Sequence, residues 1–297
     1  MTPRERRLRL PSLDIAARDW GPQDGGRVLA LHGWLDNAAS FDGLAPLLDG
    51  LRVVALDLPG HGRSDRLPPR CGFHFVDWVA TVVAAADALE WGRFSVLGHS
   101  MGAGIATLLP AASADRIDRV VLLEGMGPLA EPAERAPATL AEALVQEARL
   151  EDAEPRIFPN LEAAVAARRR DTDLDAESAR RLVERGTEVT GAGVRFTYDP
   201  RLRARSRVYF TEDQVQAFLR AIACPVLAVR ASQGWPFPEE LVAARAAVVP
   251  NLRVLEVEGG HHVHLTHPER VAPALRGFLA ADGRGARDEG FAPPSRR

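Results

Sequence analysis

The residues Gly98-His99-Ser100-Met101-Gly102 stand between an apolar run, Phe94-Ser95-Val96-Leu97, and an alanine-rich helical stretch. Gly-x-Ser-x-Gly at a strand-to-helix junction describes a sharp turn that holds a serine hydroxyl out for attack. A serine hydroxyl is a weak nucleophile at neutral pH, so such a turn is useful only with a base and an oxyanion site around it. The flanking glycines leave room for a strained backbone and for close approach of strand and helix. Met101, the first helical residue, directs its backbone N–H toward a developing oxyanion.

Acyl transfer by serine also needs a proton acceptor and an acid that orients it. In the chain order Ser, acid, His, the base lies downstream, in the loop after the last strand. That loop, Gly259-Gly260-His261-His262-Val263-His264-Leu265-Thr266-His267, carries four of the eight histidines. His261, directly after the glycine pair, is the candidate base, with His262 the alternative. His264 and His267 read as helix-entry or surface residues. Metal sites of this density usually recruit a carboxylate or thiolate, and none lies inside the run, so no metal is expected; acyl transfer by serine needs no other cofactor.

The elements that must position these residues follow from short Val- and Leu-rich runs alternating with helical segments, the pattern of a parallel sheet covered on both faces. Strands are expected at 27–31, 52–56, 93–97, 119–123, 225–229 and 252–257. Helices are expected at 40–48, 74–90, 101–112 and 238–248, with a last one over 268–280 opened by a capping box at Thr266-His267-Pro268-Glu269. Residues 7–19 supply an edge hairpin. Between Pro128 and Ala223 the rhythm breaks into helical periodicity at 139–150, 161–170 and 175–185, and a capping box at Thr211–Gln214 opens another helix to Ile222. This segment reads as a mostly helical cap (128–223) over the carboxyl edge of the sheet, where ligands bind. The core is then 1–127 with 224–282, and the Gly-, Pro- and Arg-rich tail 283–297 reads as disordered.

Composition removes several function classes. The chain has 297 residues, 46% of them hydrophobic, enough for a sizeable core. Its formal net charge of −3 argues against a nucleic-acid partner, and all 37 basic residues are arginine. Cys71 and Cys224 suggest no disulfide framework and read as ordinary thiols. The arginine-rich start precedes no apolar signal region, and no long apolar run offers a membrane span, so a cytoplasmic protein with no membrane partner is expected.

His32-Gly33-Trp34-Leu35-Asp36-Asn37, Asp57-Leu58-Pro59-Gly60-His61-Gly62-Arg63-Ser64, Gly98–Gly102 and Gly260-His261 resemble the α/β-hydrolase superfamily in order and spacing over about residues 13 to 280. Through His32–Asp36 and Tyr198-Asp199-Pro200-Arg201-Leu202 the chain is most similar to the serine hydrolase-like proteins. The resemblance implies the α/β-hydrolase fold: a mostly parallel sheet of about eight strands, helices on both faces, and the cap inserted after strand 6. It makes the Trp34 N–H the second oxyanion donor beside Met101. It also makes Asp57, His61 and Ser64 structural. His99 sits inside the elbow, where its side chain is expected to point away from substrate and to serve packing.

The chain departs from that pattern at the acid. Relatives keep it after the seventh strand, about nine residues beyond a proline like Pro225, and the corresponding residue here is Gly234. Glu124 offers a substitute at the end of the sixth strand, a position that some α/β-hydrolases use, and a carboxylate after four apolar strand residues needs a partner such as an imidazole. Glu239 and Glu240 are the other candidates, and the remaining alternative is a His261 oriented by water or no functional acid at all. The expected activity is hydrolysis of a small-molecule carboxylic ester or related acyl compound by Ser100, His261 and Glu124. The alternatives are a carbon–carbon bond hydrolase or thioesterase with the same triad, and a non-catalytic ligand-binding protein on the same scaffold.

Overall fold

The computed structural model describes residues 2–280 except residues 152, 154, 155 and 171. The tail 283–297 and the last residues assigned to the core lie outside the described residues. The chain opens with an antiparallel hairpin, β1 (Arg4–Arg9) and β2 (Asp14–Trp20). It continues through β3 (Gly26–Leu31), β4 (Leu51–Leu56), α1 (Phe75–Ala88), β5 (Phe94–His99), α2 (Met101–Ala112) and β6 (Ile117–Leu123). It then leaves the sheet for α3 (Ala136–Glu151), β7 (Ile157–Phe158), α4 (Leu161–Arg169), α5 (Ala176–Gly186), β8 (Thr187–Thr190), β9 (Gly193–Phe196) and α6 (Glu212–Arg220). The return is β10 (Val226–Gln233), α7 (Glu239–Ala247), β11 (Leu252–Gly260), the single turn α8 (Val263–Thr266) and α9 (Pro268–Ala280).

The eight-stranded sheet has the order β1-β2-β4-β3-β5-β6-β10-β11 and is parallel from β4 onward. Strands β4 and β5 are buried along their whole length, because helices cover both faces of the sheet. Val82, Ile105, Leu109, Val215 and Leu219 from α1, α2 and α6 pack on one face. Val271, Leu275 and Leu279 of α9 pack with Phe41 and Leu44 on the other. This is the α/β-hydrolase architecture, and it brings the ends of β3, β5 and β6 and the loop after β11 to one edge.

Three local expectations are corrected. The helix expected at 40–48 is two short 3-10 turns, Ala38–Phe41 and Ala45–Leu47. The Asn37 side chain caps the first, and Pro46, which has no N–H to donate, sits at the start of the second. The Thr266 capping box does not open α9: Thr266 ends α8, and its hydroxyl donates to the His262 carbonyl at 3.1 Å. The cap is not only helical, since β7, β9 and β8 form a small antiparallel sheet in that order. The box at Thr211 and Gln214 forms both of its hydrogen bonds.

A buried ion pair ties cap to core. The Arg185 guanidinium on α5 bonds Asp57, Nε to Oδ1 at 2.9 Å, and both side chains are fully buried. Asp57 also accepts the N–H groups of Ala38 and Arg63, which folds the loops after β3 and β4 around one carboxylate. Among the described residues no helix is long and apolar enough to cross a membrane.

Candidate active site

Strand β5 ends at His99 and α2 begins at Met101, so Ser100 alone makes the turn, at φ 51° and ψ −112°. A side chain would not fit on either side of it. A Cβ on Gly98 would lie 2.6 Å from the Ala103 nitrogen, and one on Gly102 would lie 2.8 Å from the His32 carbonyl oxygen. The Ser100 N–H donates to the Leu123 carbonyl at 2.9 Å, and its own carbonyl accepts from Gly104 at 3.1 Å. These bonds hold the serine at the sheet edge, against the positive end of α2.

His261 Nε2 lies 3.0 Å from Ser100 Oγ, and His261 Nδ1 lies 3.3 Å from Glu124 Oε2. A carboxylate can only accept, so Nδ1 carries the proton in this assignment and Nε2 is free to take the serine proton. Glu124 directly follows β6 at φ 54°, and its N–H donates to the Val229 carbonyl. Its carboxylate is nearly buried; Oε1 accepts the Ala231 N–H at 2.5 Å and Oε2 the Trp235 N–H at 3.0 Å. The other candidate acids stand apart. Glu239 pairs with Arg230 at the surface, and Glu240 is exposed.

The N–H groups of Trp34 and Met101 have no hydrogen-bond acceptor among the described residues. Both residues line a cavity of about 870 Å³ that reaches Ser100 and His261 and whose apolar wall includes Phe73, Phe75, Trp78, Leu129 and Phe210. The Trp34 ring is half exposed and donates its indole N–H to the Leu202 carbonyl of the cap at 2.8 Å. His32 fixes the loop from below: Nδ1–H donates to the Gly33 carbonyl and Nε2 accepts the Leu58 N–H at 3.0 Å. Burial pushes its pKa down, in keeping with the neutral tautomer that these bonds require.

The other histidines do more than the sequence indicates. His99, expected to serve packing alone, is buried and donates from Nε2 to the His261 carbonyl at 2.9 Å. Burial, with His264 alongside, holds it well below the usual imidazole range. His264 enters a helix but is not at the surface: it stacks on His99 at 4.1 Å between ring centroids and bonds the Ser40 hydroxyl. Burial and neighbouring His262 push it to about 3. His262 is held by Asp173 of the cap, and Arg168 of the cap pairs with Asp36 in the Trp34 loop. No local spacing in the sequence links either pair. Burial pushes the Cys224 thiol up to about 11, which disfavours a thiolate nucleophile there.

Comparison with known proteins agrees with this architecture. The family pattern of the alpha/beta hydrolase fold matches residues 26–268. The chain belongs to the α/β-hydrolase family. Members of this family are generally hydrolases. A serine hydrolase-like protein of Dictyostelium discoideum is 32% identical over 299 residues, covering 95% of this chain and 82% of that one. The crystal structure of a hypothetical protein from Pseudomonas aeruginosa PAO1 superposes with a TM-score of 0.87 at 39% identity, over 93% of this chain and 99% of that one. A thioesterase domain from the curacin biosynthetic pathway superposes with a TM-score of 0.79 at 26% identity, over 94% and 99%.

Proposed function

We propose that this α/β hydrolase is a serine hydrolase that cleaves a carboxylic ester with a bulky apolar group. Ser100 Oγ attacks the acyl carbon while His261 Nε2 takes its proton, and the N–H groups of Trp34 and Met101 receive the oxyanion. His261 then returns the proton to the departing alcohol. Water, activated by the same imidazole, releases the acid from Ser100. Glu124 holds the imidazole in the required tautomer and offsets its positive charge. The observation that carries this reading is the unbroken chain Ser100 Oγ–His261–Glu124, with contacts of 3.0 and 3.3 Å. The apolar cavity wall supports a bulky group on one side of the ester.

A fluorophosphonate probe should label the folded protein, and Ser100→Ala should remove both labelling and turnover of p-nitrophenyl esters. Unlabelled folded protein would count for a binding role instead. A thioester is the second reading, favoured by the likeness to the thioesterase domain. Matched acyl esters and thioesters, compared by kcat/KM, separate the two.

A further inference from the structure

The residue after the candidate base is gripped by the cap. Asp173, between α4 and α5, accepts the His262 N–H at Oδ2, 2.8 Å away, and the ring Nδ1–H of His262 at Oδ1. Gly260 marks the same contact from the other side. A Cβ there would overlap Asp173 Oδ2 and stand 3.1 Å from the Asp173 Cβ, so only glycine at 260 lets the cap carboxylate reach the loop. Burial would raise the Asp173 carboxyl, but the hydrogen bond and charge of His262 outweigh it and hold the group well below the usual carboxylate range.

A second arm comes from the same stretch of cap. Arg168, on the last turn of α4, pairs with the buried Asp36 carboxylate in the loop that carries Trp34. Asp36 Oδ2 has no hydrogen-bond partner of its own and lies 3.8 Å from His99 Nδ1, while His99 Nε2 holds the His261 carbonyl. The base loop and the oxyanion loop are therefore anchored on Asp173 and Arg168, five residues apart in the cap.

We propose that Asp173 and Arg168 are positioning residues: the seated cap sets the His261 loop and the Trp34 loop in their reacting geometry. The proposal rests on the serine hydrolase reading above. Strand β11 ends in Gly259, at φ 150°, and Gly260, so two residues of high intrinsic conformational freedom lead directly into His261. The two bonds from Asp173 remove that freedom directly beside the base. Misplacing a reacting group by roughly 1 Å can cost about 100-fold in rate. A clamp that served stability alone would change the melting temperature and leave the turnover of folded enzyme intact.

The test uses p-nitrophenyl acetate, a small ester that makes little use of the cap wall. Asp173→Ala is expected to lower kcat by roughly 10- to 100-fold with KM nearly unchanged, in protein whose circular dichroism matches wild type. Asp173→Asn keeps an oxygen for the His262 N–H and should recover part of that loss. Arg168→Gln, which breaks the other arm, should lower kcat independently, so the proposal stays exposed even if one variant folds poorly. Fluorophosphonate labelling rates should fall in parallel. Wild-type kcat in both Asp173→Ala and Arg168→Gln, a loss confined to KM, or a loss that vanishes when corrected for the folded fraction would overturn the positioning role. Failure of the wild type itself to label would overturn the hydrolase reading and this proposal together.

Discussion

The carboxylate of Glu124 fills the space in which a side chain on residue 234 would begin. A Cβ built on Gly234 overlaps Glu124 Oε2 and stands 2.5 Å from its Cδ. One carboxylate site beside His261 can thus be reached from either of two neighbouring strands, and here it is reached from β6. The end of β10 and the loop after it supply two backbone donors to that carboxylate, Ala231 and Trp235. Residue 234 then has to be a glycine, since the reach from Glu124 passes through its side-chain position.

This exclusion makes the acid testable from both ends. Glu124→Gln should lower kcat on a short activated ester by roughly 10²- to 10⁴-fold, the larger figure being the loss seen when a triad acid becomes an amide. Gly234→Ala leaves Glu124 in the sequence but pushes its carboxylate aside, and should lose activity to a similar degree. The double variant Glu124→Gly, Gly234→Asp returns a carboxylate to the same place, and glycine suits the positive φ at residue 124. It should recover part of the lost rate. Steady-state kinetics on folded protein decide the matter, and a Gly234→Ala enzyme as fast as wild type would remove Glu124 from the proposed triad.

Some of this was readable in the chain because its signals are local. The buried runs of β4 and β5 show as mostly apolar stretches, interrupted by Arg52 and Ser95, since both faces of the sheet are covered, and the glycines around Ser100 mark a turn that admits no side chains. Glu124 stands out as a carboxylate placed directly after such a run. The reason for Gly234 did not show, because it depends on a side chain 110 residues earlier in the chain. Asp173 and His262, or Arg168 and Asp36, meet only when the cap folds over the sheet, and no periodicity announces them. His264 reads as a helix-entry or surface residue; it does enter α8, but that turn carries it inward onto His99. The β8–β9 hairpin has strands of four residues, too short for an alternation to register against the helices around it.

The buried histidines carry a pH signature. Burial, with His32 adding to it at His61 and His262 at His264, lowers both His61 and His264 from 6.5 to about 3. Between those values the unfolded chain binds protons that the folded protein refuses, so folding stability rises with pH. The stabilisation is complete above about pH 6.5 and is lost as pH falls toward 3, by up to about 1.4 kcal/mol per pH unit for each group. Urea midpoints measured at pH 7, 6 and 5 at constant ionic strength should fall in that order. Replacing His61 with Gln should flatten the decline. A midpoint that stays constant from pH 7 to 5 would mean that these rings take up protons freely in the folded state.

Ser100 itself should weigh against stability. Its φ of 51° with ψ of −112° is backbone that a residue with a Cβ adopts at a cost of about 1–3 kcal/mol. Alanine at 100 keeps that cost, whereas glycine escapes it. Ordinarily the same comparison favours alanine, by roughly 0.5–1 kcal/mol inside a helix or strand, because glycine has more freedom to lose on folding. At this residue the order should invert, with Ser100→Gly more stable than Ser100→Ala by about 1 kcal/mol in urea unfolding. Neither variant should turn over ester. The pair therefore separates the two demands on one position: the hydroxyl of the proposed nucleophile, and the backbone that has to be bent to present it. If Ser100→Gly proves the less stable of the two, the turn is not strained.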